Sequence, residues 1–181
     1  MTDATPKEAY ESVNIKVIGI EIHQTTGAAE KDTGWIKVPL AVPILLDLLK
    51  LQNQVNAFLA DVKLDEGTYQ QIRLTLSPTE GDNNVVIAGK TFNLTIPGGS
   101  QTGLKINHLN FKVDASNTQA VIFDFDAAKS IHKTGSPKDP KYMLKPVIKV
   151  KIGQIEKDGK VKTEEKGATN IQNQGSKDNN A

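Results

Sequence analysis

At 181 residues, with 38% hydrophobic and 24% charged side chains, the chain has enough apolar material for one core and too much for a disordered protein. Its formal net charge is +1, and Arg73 is the only arginine among 22 basic residues, which excludes the basic surface and guanidinium forks of a nucleic-acid binder. The lack of cysteine excludes disulfides, thiolate metal sites and a Cys nucleophile, and no apolar run reaches the ~18 residues of a membrane helix, since Asp47 interrupts the longest, 44–51.

The N-terminal Met1-Thr2-Asp3 has no charged n-region followed by an apolar stretch, so the reading is an exported protein whose leader has been removed, with a cytoplasmic protein as the alternative. The segment VNIKVIGIEI (13–22) places Val13, Ile15 and Val17 on one parity and Ile18, Ile20 and Ile22 on the other. It predicts a strand with a β-bulge beside Gly19. A polar, Gly-containing stretch (25–34) leads to Trp35-Ile36-Lys37-Val38-Pro39-Leu40, a second strand antiparallel to the first. Ile44 to Leu49 fits a short buried strand or one helical turn.

After the turn at Asp65-Glu66-Gly67, residues 68–76 alternate. Ile72, Leu74 and Leu76 share one face, and Tyr69, Gln71, Arg73 and Thr75 the other. Val85-Val86-Ile87 and 92–96 flank Ala88-Gly89-Lys90 as a hairpin. Short strands follow at 104–106, 111–113 and 120–126, separated by Gly, Pro, Asn and Asp clusters. Asp126 then caps one helical turn, 126–131. A last strand, 142–152, turns Leu144, Ile148, Val150 and Ile152 inward and Lys145, Lys149 and Lys151 outward. Turns about every ten residues predict an all-β fold, an antiparallel Greek-key β-sandwich with one short helical turn. Residues 1–155 form the domain; 156–181 read as a polar, flexible tail in which Lys157-Asp158-Gly159-Lys160 can close a marginal hairpin.

Several motifs occur in order: Thr2-Asp3-Ala4, Tyr10-Glu11-Ser12-Val13, Leu45-Leu46-Asp47-Leu48, Gly67-Thr68-Tyr69-Gln70-Gln71-Ile72-Arg73-Leu74, Ser100-Gln101-Thr102-Gly103-Leu104-Lys105, Asp124-Phe125-Asp126-Ala127-Ala128-Lys129-Ser130 and Leu144-Lys145-Pro146-Val147-Ile148. Together, from Thr2 to about Val150, they resemble a bacterial and archaeal envelope family known only as a domain of unknown function. The resemblance implies a transthyretin-like or immunoglobulin-like sandwich, often behind a lipoprotein leader, and no established enzyme activity. It also implies one further strand ahead of Thr2-Asp3-Ala4. That strand is either lost with the leader or donated by a partner through β-strand addition.

Two side-chain groups are candidates for function. Asp124 and Asp126 at i and i+2 point the same way; with Asp3 they compose an oxygen-ligand set for Ca²⁺, or they pair with Arg73 and Lys105 as a structural ion cluster. Trp35, Tyr69 and Tyr142 compose a sugar-stacking platform if they lie outside, Tyr69 having the clearest outward parity. His23, His108 and His132 lack metal-site spacing, and Ser100 lies in no nucleophile elbow. The expected function is a non-catalytic module of the periplasm or cell surface, lipid-anchored in its precursor, that binds another envelope protein or a surface glycan without a required cofactor. The alternatives are a calcium-stabilised stalk domain and a strand-complemented subunit of a surface assembly.

Overall fold

A computed structural model describes residues 9–25, 34–51, 63–97, 103–107, 109–116 and 118–155 and, as backbone, 161–164. The alternating apolar segment near the N-terminus builds β1 (Tyr10–Gln24), a 15-residue strand that serves as the spine. Val13, Ile15 and Val17 are buried, then Ile20 and Ile22. The ladder shifts between Val17 and Gly19, the expected bulge, which leaves Ile18 outside the core.

Along one edge β1 pairs with β2 (Trp35–Val38) and β3 (Ile44–Asp47). Along the other it pairs with β4 (Gly67–Leu76) and β5 (Asn84–Ile87). All four pairings are antiparallel. The segment after Pro43 takes the first of the two forms its sequence allowed, a strand through Asp47, though with Leu45 exposed; the turn that follows at 48–51 is not helical. Asp47 fixes the junction by accepting the Val13 and Leu49 N–H groups.

Between β4 and β5 the ladder along β1 is interrupted by residues 77–83, and a buried side chain fills the gap. Asn83 accepts the Lys16 N–H at 3.0 Å and donates to the Ser77 carbonyl at 2.8 Å, while the Ser77 N–H donates to the Lys16 carbonyl. The amide of Asn83 thus stands in for a peptide group. β5 and β6 (Lys90–Thr95) form the expected hairpin; its turn residues Ala88 and Gly89 are both left-handed, φ 49° and 72°, as a type I′ turn requires.

β7 (Leu104–Ile106) and β8 (Phe111–Val113) extend the sheet beyond β4. β9 (Gln119–Phe125) pairs with β12 (Ile148–Ile155), and β12 with β13 (Val161–Glu164), in a second, three-stranded sheet. β13 lies beyond residue 155 and pairs back onto the end of β12, Ile155 opposite Val161, flanking the anticipated hairpin; residues 156–160 themselves lie outside the described ones. Both sheets feed one core, in which Ile15, Leu74 and Leu104 share a cluster with Phe125, Leu144 and Ile148. The fold is an all-β sandwich.

Two features depart from the sequence reading. The expected last strand is split into β11 (Asp139–Leu144) and β12, because Pro146 has no N–H to continue a ladder and the chain crosses there from the larger sheet to the smaller. β10 (Ile131–Ser136) and β11 form a hairpin that the polar run 132–141 did not announce. β11 then meets β6 in parallel at Tyr142↔Leu94 and Met143↔Thr95, so the larger sheet is mixed.

The short helix α1 (Ala127–Ser130) ties this crossing down. Asp126 caps it, accepting the Lys129 N–H at 3.2 Å. Ser130, fully buried, donates its hydroxyl to the Asp126 carbonyl and accepts the Val147 N–H at 2.8 Å. The Ser130 carbonyl accepts the Lys145 N–H, and the Asp126 N–H donates to the Val147 carbonyl.

Candidate functional site

On the face of β2-β1-β4-β7 turned away from the core, strand register gathers polar side chains into rows. Lys37, Glu21, Arg73 and Lys105 lie opposite one another across the four strands; Trp35, His23 and Gln71 form the next row. The alternate residues Val38, Ile20, Leu74 and Leu104 are buried on the other side, which fixes the orientation of both rows.

Arg73 reaches across β1 toward β2. Its guanidinium carbon lies 3.6 Å from the Trp35 ring centre, well inside cation–π range, and the His23 ring packs against Trp35 with centroids 4.9 Å apart. The stack joins side chains on strands two spacings apart, roughly 9–10 Å. The Arg73 Nε is buried and has no hydrogen-bond partner among the described residues. Among the described residues the Arg73 guanidinium forms no ion pair, nor do Lys37, Lys105 or Glu21. A half-buried cation stacked over an indole, with its Nη groups unpaired among the described residues, is equipped to receive a carboxylate or another planar acceptor.

Three of the expected site residues, Trp35, Arg73 and Lys105, come together here; the others do not. Tyr69 is fully buried, stacked on Phe111 at 5.3 Å, and donates its hydroxyl to the Asp65 carbonyl at 2.8 Å. Burial, and secondarily the Asp65 carboxylate, raise its hydroxyl above the ordinary tyrosine value. Its expected outward parity is reversed by a second ladder shift, in which His23 pairs with Gln71 but Gln24 with Tyr69; Gln70 is the extra residue. Tyr142 is also buried, its ring against Phe92. The three aromatics therefore form no common platform.

The acidic pair lies in the other sheet. Asp124 stands opposite Lys149 across β9 and β12, not beside Arg73. Asp126 is occupied as a cap and pairs with Lys129 at 3.1 Å. Burial pushes the Asp126 carboxyl upward, but hydrogen bonds from Lys129 and the charges of Lys129 and Lys149 outweigh it and hold the group below its ordinary value. Asp3 lies outside the described residues. Among those described, no three His, Cys, Asp or Glu side chains gather as metal ligands, and no helix is long and apolar enough to cross a membrane.

His23, Glu21 and Lys37 belong to the site although sequence reasoning did not single them out. Their signal lies in the register between β1 and β2, which places His23 opposite Trp35 and Glu21 opposite Lys37. No curated protein and no solved structure is similar enough to count as a match. Residues 1–146, most of the chain and all of β1 to β11, match the family model described as a domain of unknown function, DUF4382, and the protein belongs to that family.

Proposed function

We propose that this domain is a non-catalytic module of the cell envelope, exported as a lipoprotein, that binds or assembles with another surface protein through the Trp35–Arg73 face. The observation that carries the reading is the Arg73 guanidinium stacked on the only tryptophan, its Nε without a hydrogen-bond partner among the described residues, on an outer sheet face. Ordering a long side chain costs entropy, and the cation–π contact offsets part of it before any partner arrives. Trp and Arg are also the residue types that most often dominate protein interfaces. A protein partner is favoured over a glycan because Tyr69 and Tyr142 are in the core and the guanidinium occupies a face of Trp35 that a sugar ring would need.

The test is affinity capture from solubilised envelope with the wild-type domain and with an Arg73→Gln, Trp35→Leu double variant whose fold is checked by circular dichroism. A stoichiometric protein retained by wild type and lost by the variant is expected. Recovery of glycan alone, or retention that ignores the double substitution, refutes the reading.

A further inference from the structure

Of the four large hydrophobic side chains exposed among the described residues, two stand on strands of this same sheet, Ile18 at 40% and Leu45 at 66%, and a third, Val42 at 67%, is in the link between β2 and β3. Ile18 stands at the β1 bulge. Leu45 is opposite Lys16 and hence on the outer face. The link 39–43, which holds Val42, runs past the bulge, because β2 ends opposite Ile20 and β3 begins opposite Val17. Charges at this apolar end are matched within the protein, Lys16 with Asp82 at 3.0 Å and Lys50 with Asp47 at 3.6 Å. At the Trp35 end three cations face one carboxylate, Glu21, and none of the four is paired among the described residues. The surface is thus aliphatic and neutral at one end, aromatic and cationic at the other. From Ile18 to the Glu21–Arg73 row is three residues of β1, about 10 Å.

We infer that the outer face of β3-β2-β1-β4-β7 docks an extended protein segment that sets an aliphatic side chain against Ile18, Val42 and Leu45. An Asp or Glu carboxylate four residues further along, where an extended segment returns to the same face at about 3.3 Å per residue, meets Arg73. The inference rests on the contact face proposed above and gives its partner a chemistry. The guanidinium fork matches a carboxylate in two-point geometry, and its stacked position removes much of the ordering cost of binding. Lys37 and Lys105 on either side disfavour a basic segment. An acidic polysaccharide would satisfy Arg73 but leave the aliphatic side chains in water, whereas a protein segment covers both ends.

Trp35 is the only tryptophan, so its emission reports directly on the site. The intact chain is titrated with three short synthetic peptides: one carrying Leu and Glu about four residues apart, one with that Leu replaced by Ser, and one with that Glu replaced by Lys. Polygalacturonate is the glycan arm. The first peptide is expected to shift Trp35 emission saturably and to bind at least about tenfold more tightly than the other ligands, a difference of 1.4 kcal/mol. Arg73→Lys, which keeps the charge and loses the fork, should weaken it about tenfold, and Leu45→Ser severalfold, both with an unchanged melting temperature. Polygalacturonate binding as tightly as the first peptide, in an Arg73-dependent way, overturns this inference and leaves the contact face standing. If no ligand moves the emission, or binding ignores Arg73→Lys, the inference and the contact face fall together.

Discussion

Replacing Asn83 with alanine tests how β1 bridges the interruption between β4 and β5. The Asn83 side chain is nearly inaccessible and serves two backbone groups, the Lys16 N–H at 3.0 Å and the Ser77 carbonyl at 2.8 Å. Alanine leaves both unpaired inside the sandwich, at about 1–3 kcal/mol each. Water entering the vacated space recovers some of that, so the expected loss is about 2–4 kcal/mol. For a domain of this size each kcal/mol moves the melting temperature by about 2–4 °C, which predicts a fall of about 5–15 °C. The neighbouring Asn84 is the control. It accepts from the Asn14 amide and donates to the Gly81 carbonyl at the surface, and Asn84→Ala should cost under about 1 kcal/mol. Asn83→Asp keeps an acceptor for Lys16 N–H but loses the donor to Ser77, so it too should destabilise the fold. Urea and thermal melts followed by circular dichroism give the ranking. An Asn83→Ala variant within 1 kcal/mol of wild type, or an Asn84→Ala variant equally damaged, would refute the surrogate-peptide argument.

Three further outcomes follow from the same structure. Hydrogen bonds from Ser77 and Lys16 hold the Asp82 carboxyl below its ordinary value, against a smaller upward push from desolvation. Its contribution to stability is therefore complete above the unfolded carboxylate value near pH 4 and lost as pH falls through the lower folded value; the stability gap between wild type and Asp82→Asn should be widest near neutrality and close in stronger acid, as read by melting temperature against pH. Ser130→Ala removes the hydroxyl that joins the Asp126 carbonyl to the Val147 N–H and should cost about 1–3 kcal/mol in urea melts. Ala88→Asn gives the left-handed first turn residue a side chain that tolerates φ 49° and should stabilise by about 0.5–1 kcal/mol, scored by the same melts.

Strand positions and turns were legible because period-two alternation and Gly, Asn and Pro clusters act locally. Pairing between distant strands was not: nothing in Leu94-Thr95 or Tyr142-Met143 announces that they meet in parallel. The hairpin of β10 and β11 was hidden for a related reason. Residues 132–139 are all exposed and carry no apolar alternation, so that part of the hairpin rests on its ladder and its anchored ends. At Tyr69 the alternation of the strand points to the wrong face. The spacing from Tyr69 to Ile72 repeats that from Val17 to Ile20, an apolar parity change across three residues, and both mark bulges. Gly19 drew attention to the first; Gln70 and Gln71 gave no such cue, and an amphipathic tyrosine is credible on either face.

The two bulges also explain why a site exists where it does. Residues 13, 15 and 17 point into the core, and an unbroken β1 would send Glu21 and His23 after them. The extra residue at Ile18 reverses the parity and turns both outward, beside Trp35 and Lys37. In β4 the extra residue at Gln70 does the converse. Tyr69 and Arg73 would share a face in a regular strand; the bulge sends Tyr69 inward onto Phe111 and leaves Arg73 outside on Trp35. Of the family-like motifs, Asp126 to Ser130 with Leu144 to Val147 is consumed by holding the chain where it crosses between sheets. The motif from Gly67 to Leu74 does two things at once, because one inserted glutamine supplies a core tyrosine and an exposed arginine from the same strand.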